Sequence, residues 1–271
     1  MMRALYTAAS GMIAQQTNVD TIANNLANVN STGYKTSTAE FKSLLYQTLQ
    51  TRSTSANGDN KPIGAQVGTG VRNCSITTQF SQGTLTASES DFAFAIQGDG
   101  LFAVMNTDGE TLYTRNGDFK IGTTEDGFML CTSDGYPVLD QDGFAIEFTG
   151  DYQTSQLTVA SDGSFWYPDE DGNLESLGIT IGLYQFTNPS GLDQVGATNF
   201  KETEASGPAM EESATDGLKK STIKQGYLEA SNVQVADEMV NLIIAQRAYE
   251  MNSKAIQAAD DMLSQANQLK R

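Results

Sequence analysis

Acidic residues set beside glycine are the side chains of this sequence best placed to do chemistry. Asp-Gly recurs at positions 99, 108, 126, 134, 142, 162 and 171, with Asn116-Gly117 in the same series. Carboxylates on a loop can ligate calcium, and two of them across a cleft can hydrolyse a glycan by acid–base chemistry. The calcium reading fails on spacing. Placing Gly143 or Gly172 at the turn glycine of an EF-hand loop leaves Val138 or Tyr167 at the first ligand position and Thr149 or Gly178 at the last, and none of these carries a carboxylate. The hydrolase reading rests on Glu125 with Asp126, or on Asp169 to Asp171, acids of the kind common on exposed turns. Asp-Gly and Asn-Gly have a simpler use, because they supply the positive φ angles of tight hairpin turns. We read the acids as turn residues and expect no catalysis, no metal and no cofactor.

The remaining reactive inventory is small. There is no histidine, which removes the commonest general base and metal ligand together. Cys74 and Cys131 fit no C-x-x-C or zinc spacing and read as two buried free thiols, with a single disulfide as the alternative. A formal charge of −17, from 33 acidic and 16 basic residues, argues against nucleic acid and against an anionic membrane as partner. No run approaches 18 apolar residues, so membrane insertion is not expected. The N-terminus lacks a charged region followed by a dense apolar one, so a cleaved signal peptide is not expected either.

The turn residues require strands between them. Short β-prone runs at Phe92 to Ile96, Leu101 to Met105, Phe144 to Phe148 and Ile179 to Phe186 predict an antiparallel barrel or sandwich of hairpins. Residues 201 to 217 read as an acidic surface loop, and residues 48 to 70 as a polar stretch of linker composition.

Both ends read as helix. Leu5, Met12, Val19 and Leu26 recur every seven residues, with Ala8, Gln15, Ile22 and Val29 three further on, the pattern of a helix packed along one seam. Between Ala4 and Tyr34 the only charge is Asp20, whereas a helix side in water usually carries Lys and Glu. We therefore expect several faces of this helix to be covered, some by other molecules. Asn24, Asn25, Asn28 and Asn30 are poor helix formers, and their amides are candidates for binding neighbouring backbones. The helix should end near Asn30, with Gly33 in the left-handed cap conformation. A short helical continuation is expected over Ala39 to Leu49, with Phe41, Leu44, Leu45 and Leu49 on one side. At the other end, Val235, Leu242, Tyr249, Ile256 and Leu263 form a second seven-residue stripe, supported by Ala245, Ala259 and Ala266. That helix should be capped by Ser231 or Asn232. Its Arg247, Glu250, Lys254, Asp260 and Asp261 predict one face in water.

The expected fold is thus α+β, with terminal α-helices paired as a coiled coil around a central antiparallel β domain. The expected segments are 1–47 helical, 48–70 polar and extended, 71–226 β, and 227–271 helical. The seams are the candidate assembly residues. A secreted β-rich adhesin would not need matched terminal helices, and a cell-wall hydrolase would need an acid pair that these turns do not define.

Three stretches resemble the flagellar axial proteins of the rod and hook family. They are MMRALYTAASGMIAQQTNVDTIANNLANVNSTGYK, which includes Asn24, Asn25, Asn28, Gly33 and Tyr34; FAIQGDGLF with YTRNGDF; and GYLEASNVQVADEMVNLIIAQRAYEMNSKAIQAADDML. Chain length and the 48–70 stretch are most similar to the distal-rod branch, with another axial paralogue as the alternative. The resemblance implies a structural subunit that self-associates into a helical tube across the periplasm and transmits torque from motor to hook. It also implies proximal rod and hook-side axial proteins, surrounding ring proteins and the flagellar type III export apparatus as partners. Within the tube that the resemblance implies, the charge pattern leads us to expect that the charged side of the last helix lines the channel while the first helix packs deeper.

Overall fold

The computed structural model describes residues 2–50, 65–124, 127–149, 152–153, 156–169, 173–196, 198–215 and 217–269. Its contacts divide the chain into a helical unit, formed by residues 1–26, 37–77 and 234–271, and a β unit, formed by residues 27–36 and 78–233. The class is α+β. Glu125, Asp126, Glu170, Asp171, Gly172 and residues 51–64 of the polar stretch lie outside the described residues.

In the helical unit, α1 spans Met2–Ala27 and α2 spans Val235–Gln268. The first helix stops three residues earlier than its periodicity predicts, because 28–30 form a turn in which Ser31 N donates to Asn28 O. Gly33 has φ +70° as expected of a left-handed residue. The predicted cap of α2 is corrected. Gln234 occupies the cap position without a side-chain bond, since the Ser231 hydroxyl accepts from Val233 N and the Asn232 amide is committed elsewhere. Asp237 and Glu238 occupy the first turn, where the helix dipole favours negative charge.

The predicted helical continuation at Ala39 to Leu49 is β instead. Ser37–Ser43 pairs with Val71–Thr78, and Tyr46–Gln50 pairs antiparallel with Ala65–Gly68. A helix here would need to bury Phe41, Leu45 and Leu49, and all three are exposed. The partner strands lie far along the chain, so the local pattern did not contain the answer.

The β unit is built on a six-stranded sheet in the order Asp193–Gln194, Asn199–Lys201, Thr111–Thr114, Leu101–Met105, Leu183–Gln185, Met210–Glu211. Strand Leu101–Met105 shows why its sequence is apolar throughout rather than alternating. Phe102 and Val104 enter one core with Phe94, Phe119, Phe148 and Phe165, while Leu101 and Ala103 enter a second with Tyr113, Phe186 and Phe200. A strand buried on both faces has no polar side. Edge-on aromatic pairs tie the first core together, Phe102 to Phe119 at 5.1 Å and Phe148 to Phe165 at 5.1 Å, the arrangement ring quadrupoles favour.

The Asp-Gly turns hold at Gly109, Gly135, Gly143 and Gly163, all at φ between +79° and +90°. Gly100 and Gly117 are different: neither has a positive φ, and a Cβ on Gly117 would collide with the Phe94 carbonyl oxygen. The run at Phe144 to Phe148 narrows to strand Glu147–Thr149, with Phe144 74% exposed at the preceding turn. The supposed acidic loop at 201 to 217 supplies the edge strand Met210–Glu211 and buries Ser206 and Glu212. No sheet closes on itself among the described residues.

Both cysteines are free. Cys131 is buried, its thiol donates to Lys120 O, and burial pushes its pKa up. Cys74 is exposed on its strand, so the expectation of two buried thiols holds for one.

Candidate assembly site

Helix α1 presents three faces. The predicted stripe is partly or fully buried: Ile22 is buried, and Leu5, Met12, Val19 and Leu26 are half-buried. Val29 lies beyond the helix, in the turn, and is half-buried too. Two observations put this stripe beside α2 within the helical unit. A Cβ on Gly11 would lie 2.8 Å from the Asn252 amide nitrogen, and Gln16 and Val19 line one shallow cavity with Gln246, Tyr249 and Glu250.

A second face, Ser10, Ala14, Thr17, Thr21 and Asn25, follows helical spacing and meets the unit's own strands. The Ser10 hydroxyl accepts from Val71 N at 3.3 Å, and Asn73 Nδ2 donates to Thr17 Oγ1 at 2.6 Å. Asn25 is buried, and its amide serves both main-chain groups of Ser37: Nδ2 donates to Ser37 O at 2.8 Å, and Ser37 N donates to Asn25 Oδ1 at 3.0 Å. The side chain thus takes the place of an adjacent strand. Gly70, at φ +126°, approaches Ser10 so closely that a Cβ would overlap its hydroxyl. The uncharged, amide-rich composition of α1 is therefore met in part by the same chain, where the sequence alone pointed to other molecules. Asn24 is exposed and Asn28 half-buried.

The third face of α1 is open, with Tyr6 72% and Ile13 65% exposed. Helix α2 is more open still. Ala245 and Ala259 are buried, and Leu242, Ile256 and Leu263 are half-buried, but Val235 and Tyr249 of the same stripe are exposed. A further set, Met239, Val240, Ile243, Ile244, Met251 and Met262, is exposed at 44–65%. Val240, Ile244, Met251 and Met262 share one side of the helix at its 3.6-residue period. The charged residues Arg247, Glu250, Lys254, Asp260 and Asp261 are exposed as expected. A large apolar stripe in water costs free energy in proportion to its area, so this stripe marks an interaction surface.

The β unit holds a buried charge cluster that the sequence did not disclose. Lys35 Nζ donates to Glu229 Oε1 at 2.6 Å and to Ser81 O at 2.8 Å, while Arg115 lies 3.2 Å from Glu229 Oε2 and donates to Gly98 O at 2.6 Å. The three side chains are at most 1% exposed. Burial pushes the Lys35 ammonium below the usual lysine range, Glu229 opposes the shift, and Arg115 adds to it. Gly33 belongs to the same place. A Cβ on it would lie 2.5 Å from Asn116 N, Gly33 N donates to Glu229 O, and Thr32 Oγ1 donates to Asn116 Oδ1. Tyr34 is buried beside it in the chain. Lys35, Arg115 and Glu229 stand inside the three stretches singled out by resemblance, but nothing local pairs residues so far apart.

Among the described residues no group of acids, cysteines and histidines could hold a metal ion, and no helix is long and apolar enough to cross a membrane.

Three family models match the chain: "Flagella basal body rod protein" over 5–35, "Flagellar hook protein FlgE/F/G D1 domain" over 95–167, and "Flagellar basal body rod FlgEFG protein C-terminal" over 224–269. Two of them cover the helical ends that form the open surface. The chain is 44% identical over 273 residues to the flagellar basal-body rod protein FlgG of Borreliella burgdorferi, covering all of both chains. It is 36% identical to FlgG of Bacillus subtilis, again over all of both chains, and 29% identical to the flagellar hook-basal body complex protein FlhP of the same organism.

Proposed function

The chain belongs to the flagellar basal-body rod protein family, in its FlgG branch, and from that premise we propose that it is a structural subunit of the distal rod. Subunits polymerise into a helical tube that crosses the periplasm and transmits torque from motor to hook. The partners are further copies of the chain, proximal rod and hook-side axial proteins, the surrounding rings and the type III export apparatus. Segments 1–47 and 227–271 are the assembly segments, with α1 and α2 paired as a coiled coil along Leu5, Met12, Val19, Ile22 and Leu26 on one side and Leu242, Tyr249, Ile256 and Leu263 on the other. The segment 48–70 is the polar, rod-type stretch of the sequence, and 71–226 is the central β domain of hairpins. The protein carries no catalytic machinery.

The observation that carries this reading is the apolar side of α2, Val240, Ile244, Met251 and Met262, left open on a folded chain. A surface whose partner is another copy at a different patch does not close into a ring and builds a filament. The charged side of α2, at Arg247, Glu250, Lys254 and Asp261, is the side assigned to the channel.

Replacing Ile244 with Asp tests the assignment. We expect soluble chain with unchanged circular dichroism and no filaments by electron microscopy, and no motility in a strain carrying only that variant. Leu26→Asp on α1 should behave alike. Filaments formed by Ile244→Asp at wild-type yield would refute the surface.

A further inference from the structure

The chain enters or leaves the β unit at residues 27, 36, 78 and 233. One side chain, Asn232, bonds three of these places to each other, all inside the β unit. Its Oδ1 accepts from Thr36 N at 2.7 Å and from Thr36 Oγ1 at 2.6 Å. Its Nδ2 donates to Gln79 O at 3.0 Å, to Ser81 O at 3.2 Å and to Ser81 Oγ at 2.8 Å. Gln79 N also donates to Thr36 O at 2.8 Å. The charge cluster shares a partner with this junction: Lys35 holds Ser81 O and Glu229, and Glu229 Oε1 accepts from Gly83 N at 2.7 Å.

We propose that Asn232 is a positioning residue, a fastener that makes residues 36, 79–81 and 232 one rigid junction in the β unit. This rests on the rod function proposed above and says which residues resist the pull of torque on the connecting peptides. An amide is the group the site requires. It offers an acceptor and two N–H donors on one short, planar head. Aspartate keeps the size but cannot donate to Gln79 and Ser81, alanine removes every bond, and glutamine holds the same head one carbon too far out. The half-buried setting fits a lock on main chain, because each carbonyl it holds would otherwise be left to water beside a strand end.

The test compares the purified full chain with Asn232→Asp, Asn232→Ala and the milder Ser81→Ala by amide hydrogen exchange. We expect exchange in 34–37, 79–83 and 229–233 to quicken by about tenfold or more in the two Asn232 variants and by less in Ser81→Ala, while Phe94–Ile96 and Phe102–Val104 keep wild-type protection, as local opening requires. Unchanged exchange at the junction, or equal acceleration in the core strands, would overturn the fastener. In cells, Asn232→Asp should leave rod number normal and reduce swimming increasingly as viscosity is raised. Swimming equal to wild type at every viscosity, with the junction loosened, would overturn the mechanical role. Failure of the wild-type chain to form rods would count against the proposed function and leave the exchange result standing.

Discussion

The helical unit and the β unit solve the same problem in opposite ways. The β unit hides most of its aromatic rings within itself, Phe144 apart: Phe94, Phe102 and Phe165 are fully buried, and its central strand is covered on both faces. The helical unit buries mainly small or polar residues, Ala8, Ala14, Thr21, Asn25, Ala245 and Ala259, with Ile22 the large exception, and leaves Ile13, Ile244 and Met251 in water. Hydrophobic free energy is therefore largely spent in one unit and still available in the other. A protein divided this way can be a stable monomer that remains ready to polymerise.

The largest effect should come from breaking the closed unit. Phe94→Ala removes a ring at the centre of the aromatic core and should cost about 3–5 kcal/mol, read as a lower denaturation midpoint in the fluorescence of Trp166, the only tryptophan. Glu229→Gln comes next. It leaves Lys35 and Arg115 buried without their counter-charge, a change of about 3–5 kcal/mol when a buried pair is broken, and the same fluorescence midpoint checks it. By contrast, Ile244→Asp on the open unit should move that midpoint by less than about 0.5 kcal/mol while abolishing filaments. Equal loss of stability from Ile244→Asp and Phe94→Ala would erase the distinction between the units.

The smallest effect sharpens the comparison at high pH. Burial, with help from Glu202 and Tyr184, pushes the Tyr113 hydroxyl up to about 12. Its ordinary value is 10.0, so above pH 10 the unfolded chain loses this proton first. The stability Tyr113 contributes is full below pH 10 and is lost as pH rises through about 12. Tyr113→Phe should flatten that part of the alkaline unfolding curve and leave the curve below pH 9 unchanged in slope; an unaltered alkaline limb would contradict the assignment.

Much of this was legible because it is local. The stripes of α1 and α2 are repeats along a single segment, and the Asp-Gly turns at 108, 134, 142 and 162 need only two adjacent residues. The errors fall where a distant partner decides. Leu44, Leu45 and Leu49 look helical until strands 65–68 and 71–78 offer main-chain partners. Ser231 and Asn232 look like caps until Thr36 and Ser81 claim the Asn232 amide. The buried role of Asn25 was partly anticipated, since an amide in an uncharged helix signals a main-chain neighbour. That the neighbour is Ser37 of the same chain required the fold.

The sequence by itself determined that both ends are helices and that the middle is antiparallel β. Period and composition carry those facts, and neither depends on what lies across the molecule. Tertiary structure decided which groups meet: Lys35, Arg115 and Glu229 in one buried cluster, Asn232 on Thr36 and Ser81, and strands where 39–49 read as helix. These are pairings between residues tens to hundreds of positions apart, and their energy exists only once the chain has brought them within hydrogen-bond distance.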